Sequence, residues 1–172
     1  MQYKHLPHID MIGYYQFITF RTFDSTDVFL KKLSLQDKDN SKKQLEMDDY
    51  LDSSQNGAYL KDDVLTVISD FLKAKDKVLY ELIAFTIMPN HIHLLIKPLD
   101  KLASVMQSIK GSSAKTINDM MSRRGKFWAS DYYDKTIRDE KHFNTVYNYI
   151  KNNPLKLGEA EASLPRFYGI YE

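Results

Sequence analysis

His91 and His93, separated by Ile92 in the run Pro89-Asn-His-Ile-His93, are the pair in this chain with the chemistry to hold a metal ion. In an extended strand alternate side chains share a face, so both imidazoles emerge side by side while Ile92 turns into the core. Two adjacent neutral imidazoles make half of a divalent-metal site; the competing reading is a pair of histidines that simply cap a sheet edge. The chain has no cysteine, so any further ligand must be histidine, carboxylate, amide or phenol. The second group of interest is Tyr149. Phe143, Val146, Tyr147 and Ile150 recur at helical spacing and define a buried stripe. Tyr149 lies off that stripe, about 100° around the helix from Ile150, on a flank shared with Thr145 and Asn153. Asn153, one turn later, can offer an amide oxygen beside the phenol. With a pKa of about 10 a phenol is a weak nucleophile near neutrality, but a metal that polarises a phosphate can make its attack on phosphorus feasible. On residue pattern alone, the plainer reading of Tyr149 is a surface or half-buried tyrosine.

The elements that must position these groups follow from periodicity. Tyr14–Phe23 is aromatic and β-branched and reads as a strand. Ser25 or Thr26 can cap a short helix through Leu33. A polar, acidic stretch over about residues 36–56 reads as a surface insertion, helical in part or disordered. Val64, Leu65, Val67, Ile68, Phe71 and Leu72 predict an amphipathic helix from Asp62 or Asp63 to about Lys75. Val78–Met88 and Ile92–Lys97 read as a hairpin turned at Pro89-Asn90. A helix follows from about Leu102 to Met121, with an interruption possible at Gly111; Phe127–Trp128 and Tyr132–Arg138 are short strand candidates. A last helix over Glu140–Asn152 is stopped by Pro154. This order predicts an α+β, ferredoxin-like sandwich in one domain over residues 1–172, its antiparallel sheet covered by helices mainly on one face. The open face is then a platform for a site.

The formal net charge of +1 conceals two unlike regions. Gln36–Asp63 carries eight acidic residues against four lysines, whereas Lys97–Gly158 carries twelve Lys and Arg against six acids. Charge asymmetry of this kind can produce a basic face on a nearly neutral protein; the alternative is a solvated surface with no partner. Lys110, Lys115, Arg123, Arg124, Lys126 and Arg138 are the candidate phosphate contacts, and Trp128, Tyr132 and Tyr133 are candidates to stack on unpaired bases. No apolar run is long enough to cross a bilayer, and MQYKHLPHID lacks the apolar stretch of a signal peptide, so no membrane partner and a cytoplasmic location are expected.

Four stretches resemble the REP-associated tyrosine transposases, relatives of the single-strand insertion-sequence transposases among the HUH nucleases. They are Tyr50-Leu-Asp52 with Leu60-Lys-Asp62; Phe85-Thr-Ile-Met-Pro-Asn-His-Ile-His-Leu-Leu-Ile-Lys-Pro98; Phe127-Trp128 with Tyr133-Asp134 and Ile137-Arg-Asp-Glu140; and Tyr149-Ile-Lys-Asn-Asn-Pro-Leu-Lys156. The resemblance implies a metal-dependent enzyme that binds hairpin DNA, cuts a single strand beside it through a 5′-phosphotyrosine link, and transfers the strand. It assigns the metal ligands to His91, His93 and Asn153 and the nucleophile to Tyr149. It also implies Mg²⁺ or Mn²⁺ as cofactor, a homodimer, and residence at the nucleoid. A domesticated DNA-binding module of the same fold and a phosphoesterase that activates water are the rival readings. Two features depart from the family: the acidic insertion around Gln36–Asp49 is long, and the chain ends Leu164-Pro-Arg-Phe-Tyr-Gly-Ile-Tyr-Glu172 in place of a tryptophan-containing tail. Neither is expected to touch the site.

Overall fold

The computed structural model describes residues 14–25 and 40–172. Five strands, β1 (Gln16–Arg21), β2 (Tyr80–Ile87), β3 (His91–Pro98), β4 (Tyr133–Thr136) and β5 (Phe167–Gly169), form one sheet in the order β4-β1-β3-β2-β5. Every pairing is antiparallel. The helices are α1 (Asn40–Ser53), α2 (Asp62–Ala74), α3 (Leu102–Met120), α4 (Glu140–Asn152) and a short α5 (Glu159–Ala162). With α2 and α3 as crossovers, the β1-α2-β2-β3-α3-β4 path and its 4-1-3-2 order are ferredoxin-like, as the sequence predicts, and β5 extends the edge at β2. The helix expected after Ser25 falls on residues outside those described, apart from Ser25 itself, which ends a 3-10 turn (Phe23–Ser25).

Strand alternation sorts the two faces. Ile18 and Phe20 of β1 with Ile92, Leu94 and Ile96 of β3 meet Val64, Leu65, Ile68 and Leu72 of α2 and Val105, Met106 and Ile109 of α3 in the larger core. Each fully buried aliphatic side chain there is worth about 1.5–3 kcal/mol relative to exposure, and this layer holds the sheet flat against its two long helices. The opposite face carries Phe17, Ile83, Ala84 and Leu95 against Val146, Tyr147 and Ile150 of α4. It is therefore no open platform. A helix lies across it, and the site sits in the angle between that helix and β3. Asp139 starts α4 by accepting a hydrogen bond from the His142 amide at 2.7 Å, an N-cap worth about 1 kcal/mol.

Three local expectations change. Gly111 does not interrupt α3, which runs unbroken. Trp128 forms only an isolated bridge to Thr22 in place of a strand. The acidic insertion does not stand off in solvent: within it α1 buries Met47 and Leu51. An i, i+4 apolar pair of this kind gives a polar helix just enough stripe to dock. The turn after α1 is fastened to β1, where the Thr22 hydroxyl donates to the Gly57 carbonyl at 2.9 Å. Gly57 has φ +65°, and a Cβ there would collide with the Thr22 hydroxyl, so only glycine allows this close approach. At the other end, the Arg166 guanidinium is buried beneath the C-terminal segment, donating to the carbonyls of Ile87 at 2.7 Å and Leu60 at 3.1 Å. That pins β5 to the sheet edge, where Phe167 pairs with Thr86, the β2 residue opposite His93.

Candidate active site

β3 is the middle strand of the sheet, which removes the reading of His91 and His93 as an edge cap. Both imidazoles are fully buried, on the α4 face, with ring centroids 4.8 Å apart. Their flanks are set by register: β1 places Arg21 opposite His91 and Thr19 opposite His93, and β2 places Thr86 opposite His93. Phe17 stacks on the His93 ring at 5.6 Å between centroids, and Thr19 Oγ1 lies 2.7 Å from His93 Nδ1.

Asn90 does two tasks at once. Its amide nitrogen reaches the carbonyls of Leu51, Ser54 and Asn56 at 3.0, 3.3 and 3.3 Å. These carbonyls lie at the end of α1 and in the turn after it, where a helix supplies few partners of its own, and that of Leu51 also accepts from the Ser54 amide at 3.4 Å. With the nitrogen so committed, its Oδ1 faces His91 Nδ1 at 2.8 Å. The amide oxygen can only accept, so His91 carries its proton on Nδ1 and turns the Nε2 lone pair into the site. Asn90→Ala is expected to cost about 1–3 kcal/mol, because it removes the three hydrogen bonds that tie the end of α1 to the sheet and frees the ring. Chemical denaturation and the loss of α1 amide protection in hydrogen exchange would register it.

Across the cleft, Tyr149 is half-buried on α4, 5.2 Å from the His93 ring and 6.0 Å from Phe17 between centroids. Its hydroxyl donates to Asp48 Oδ2 at 3.0 Å, and the other Asp48 oxygen accepts from Gln44 Nε2 at 2.7 Å. Asp52, one turn further along α1, places Oδ1 3.6 Å from His91 Nε2 and takes an ion pair from Lys156 at 2.8 Å. The Lys156 ammonium also lies over the Tyr149 ring, 5.0 Å from its centroid. The acidic insertion thus reaches the site directly, against the expectation that it stays clear.

Burial dominates the electrostatics. It lowers the His91 pKa to about 3, with Lys156 adding to the fall. It also takes His93 well below the ordinary value, with contributions from His91 and Lys156. Burial thus favours the neutral form of both rings, the form that binds a metal ion. Burial raises Tyr149 well above an ordinary phenol, the Asp48 carboxylate adding to the rise while the Asn153 amide beside it works the other way. Asp48 is raised to about 7 by burial, against the hydrogen bonds from Tyr149 and Gln44, and Asp52 is raised by the same cause.

Seven buried side-chain nitrogen and oxygen atoms have no hydrogen-bond partner among the described residues. Six of them are in or beside this cleft: Asp52 Oδ1, Thr86 Oγ1, His91 Nε2, His93 Nε2 and both amide atoms of Asn153. Each such atom costs about 1–3 kcal/mol when left unpaired. A concentration of that cost in one place is what a ligand site looks like when only protein atoms are counted. No three histidines, cysteines or carboxylates converge as a metal cluster among the described residues. The side chains whose chemistry fits a divalent ion are the two imidazoles and the amide of Asn153, the C-cap of α4, with Asp52 Oδ1 3.6 Å from His91 Nε2.

The candidate DNA contacts do not converge. Lys110 and Lys115 belong to α3, on the far face of the sheet from the histidines. Lys110 donates to the Asp131 carbonyl at 3.3 Å and lies over the Tyr132 ring. Arg123 is a structural strut, paired with Asp24 at 2.7 Å and donating to the Lys126 carbonyl at 2.9 Å. Lys126 is exposed, 3.4 Å from Ser130 Oγ and over the Phe23 ring. Arg124, Lys115 and Arg138 are exposed, and Arg138 stands in the turn between β4 and α4, beyond the Tyr15 end of β1 and away from the end that faces His91 and His93. Trp128 is withdrawn from base stacking altogether: it is buried against Phe20 and Phe127, with its indole N–H on Ser113 Oγ at 2.9 Å.

Sequence reasoning missed Asp48, Asp52, Thr19 and Lys156 as site residues. One signal was available for the aspartates. Asp48 and Asp52 repeat at i, i+4 one position after Met47 and Leu51, so both carboxylates flank the stripe by which α1 docks.

The sequence profile described as "Transposase IS200 like" matches residues 54–153. A curated relative from Haemophilus influenzae, itself uncharacterised, is 32% identical over 41% of this chain and 52% of its own length. The chain thus spans about half the length of that relative. Among solved structures, the fold is similar to that of a REP-associated tyrosine transposase bound to a REP hairpin. The TM-score is 0.59, with 17% identity over 97% of this chain and 82% of that one. A Deinococcus radiodurans structure aligns at a TM-score of 0.47, with 17% identity over 88% of this chain and 96% of that one. The profile match covers more than half of the chain and holds both histidines, Tyr149 and Asn153, and this chain belongs to the IS200-like transposase family.

Proposed function

We propose that this protein is a metal-dependent single-strand DNA endonuclease and strand transferase whose nucleophile is Tyr149. The observation that carries the reading is the set of unpaired buried donors facing one phenol: His91 Nε2, His93 Nε2 and the Asn153 amide. A magnesium or manganese ion held by these three would supply positive charge for the non-bridging oxygens of a phosphate. Tyr149 Oη attacks the phosphorus, the phosphodiester bond to the 3′-oxygen breaks, and the 5′-phosphate remains on the tyrosine. The exchange of one phosphoester for another conserves bond energy, so a 3′-hydroxyl can reverse it on a second strand with no nucleotide cofactor. Lys156, above the phenol ring, favours the anion that forms as the proton leaves. The solved relative binds a hairpin, and we extend that substrate class to this chain as a hairpin with a single-stranded flank.

The test is incubation with Mn²⁺ and an end-labelled hairpin bearing such a flank, followed by denaturing electrophoresis. A covalent protein–DNA band that maps to Tyr149 is expected. Cleavage without an adduct would replace this reading by water activation. Binding with no cleavage under any divalent metal would replace it by a DNA-binding module.

Arg138, exposed in the turn before α4, is the basic residue we assign to the DNA backbone at a distance from the scissile phosphate. Arg138→Ala is expected to weaken binding about equally for all sequences and to reduce the slope of log affinity against log salt by about one. Titrations by fluorescence anisotropy at several salt concentrations measure both quantities.

A further inference from the structure

We infer that Asp48 is a catalytic residue, the base that takes the Tyr149 proton as the phenol attacks and returns it when the strand is rejoined. The inference rests on the reading of Tyr149 as nucleophile. It starts from geometry: the Tyr149 hydroxyl donates to Asp48 Oδ2 at 3.0 Å, the distance a base must hold from the proton it abstracts. The carboxylate is 4% exposed, and Gln44 fixes its other oxygen at 2.7 Å, so it cannot swing away to water.

The surroundings favour the transfer. A phenol buried beside a carboxylate is held protonated, and Tyr149 is shifted in that direction; without an acceptor in contact, its proton has no short path out. Asp48 is shifted toward neutrality by the same burial, which brings acceptor strength closer to what a phenol needs. The groups facing this pair are Lys156 from the turn after α4, Asp52 and Gln44 from α1 itself, and His91 and His93 of β3 behind the phenol. Asp48 lies outside the segment 54–153 that the family profile matches, on the helix that looked from sequence like a surface addition.

The step balances. The Tyr149 Oη–phosphorus bond forms, the phosphorus–O3′ bond breaks with its electron pair going to O3′, and O3′ takes a proton from solvent water. The tyrosine proton rests on Asp48 Oδ2. In the rejoining step a 3′-hydroxyl attacks, loses its proton to solvent, and Asp48 gives the stored proton back to Oη as it leaves.

Single-turnover adduct formation with Mn²⁺ and the flanked hairpin tests this, with DNA affinity measured in parallel. Asp48→Asn keeps the size and a hydrogen bond to the phenol, and is expected to slow adduct formation by about 10²-fold or more with affinity undiminished. Installing 3,5-difluorotyrosine at position 149, whose phenol ionises more readily, is expected to restore most of that loss. An undiminished rate in Asp48→Asn overturns the inference, and a faster one would show instead that α1 shields the site from DNA. A slow variant that difluorotyrosine does not rescue would make Asp48 a positioning group only. Should Asp48→Asn fail to fold, the wild-type pH profile decides: the rate is expected to fall as pH drops through the Asp48 pKa, raised to about 7, and a profile flat from about pH 4 to 8 overturns the assignment. Absence of any adduct in the wild type would sink the Tyr149 reading itself, which these other outcomes leave standing.

Discussion

Tyr149→Phe is expected to remove covalent adduct formation entirely while leaving fold and hairpin affinity close to wild type. The substitution deletes one oxygen. The ring keeps its edge contacts with His93 and Phe17, so the packing between α4 and the sheet survives. The loss of the hydroxyl leaves Asp48 Oδ2 without its donor, and a buried carboxylate that loses a partner is destabilising by about 1–3 kcal/mol. That cost falls on the docking of α1 rather than on the sheet, and because Asp48 is already raised to about 7 it can be lessened by protonation. The chemical loss has no such escape. The next tyrosine along, Tyr147, is turned toward the C-terminal segment, where its hydroxyl accepts from the Tyr171 amide at 3.2 Å and its ring meets Phe167 and Tyr171. It cannot reach a phosphate held at the histidines without unpacking α4. An adduct of undiminished yield in Tyr149→Phe would therefore refute the assignment of the nucleophile.

This contrast between Tyr147 and Tyr149 shows what the sequence makes legible. Helix phase separates the two tyrosines because α4 has a clean apolar stripe. Strand phase puts His91 and His93 on one face because β3 alternates without a bulge. Local periodicity carries both conclusions, and the resemblance joins them into one site. What periodicity cannot carry is the approach of a distant segment. Asp48 and Asp52 look solvated in a run of acids, and only the docking of Met47 and Leu51, with Asn90 gathering three carbonyls at the end of α1, turns them inward. The same limit applies to the basic residues. Their count is plain in the sequence, but Arg123 is consumed by Asp24, ninety-nine positions away, and Lys110 and Lys115 face away from the histidines.

The metal pair itself allows a test that needs no DNA. His91→Leu and His93→Leu are each expected to abolish metal-dependent cleavage, yet to leave the metal-free protein with nearly unchanged stability. The reason is a cancellation. Each substitution removes one buried Nε2 that lacks a partner and so relieves about 1–3 kcal/mol. It also strands the group on the ring's other nitrogen, Asn90 Oδ1 for His91 or Thr19 Oγ1 for His93, at a comparable cost. The difference appears only on adding metal. A ligand at one hundred times its dissociation constant stabilises the folded state by about 2.7 kcal/mol, which for a chain of this size raises Tm by about 5–10 °C. Wild type is expected to show that rise with Mn²⁺ in differential scanning calorimetry, and both variants to lose most of it. If instead each variant lost several kcal/mol without metal and wild type gained nothing from it, the imidazoles would be structural. A site kept at the expense of unpaired buried donors makes sense only if something binds there, and the calorimeter reads that directly.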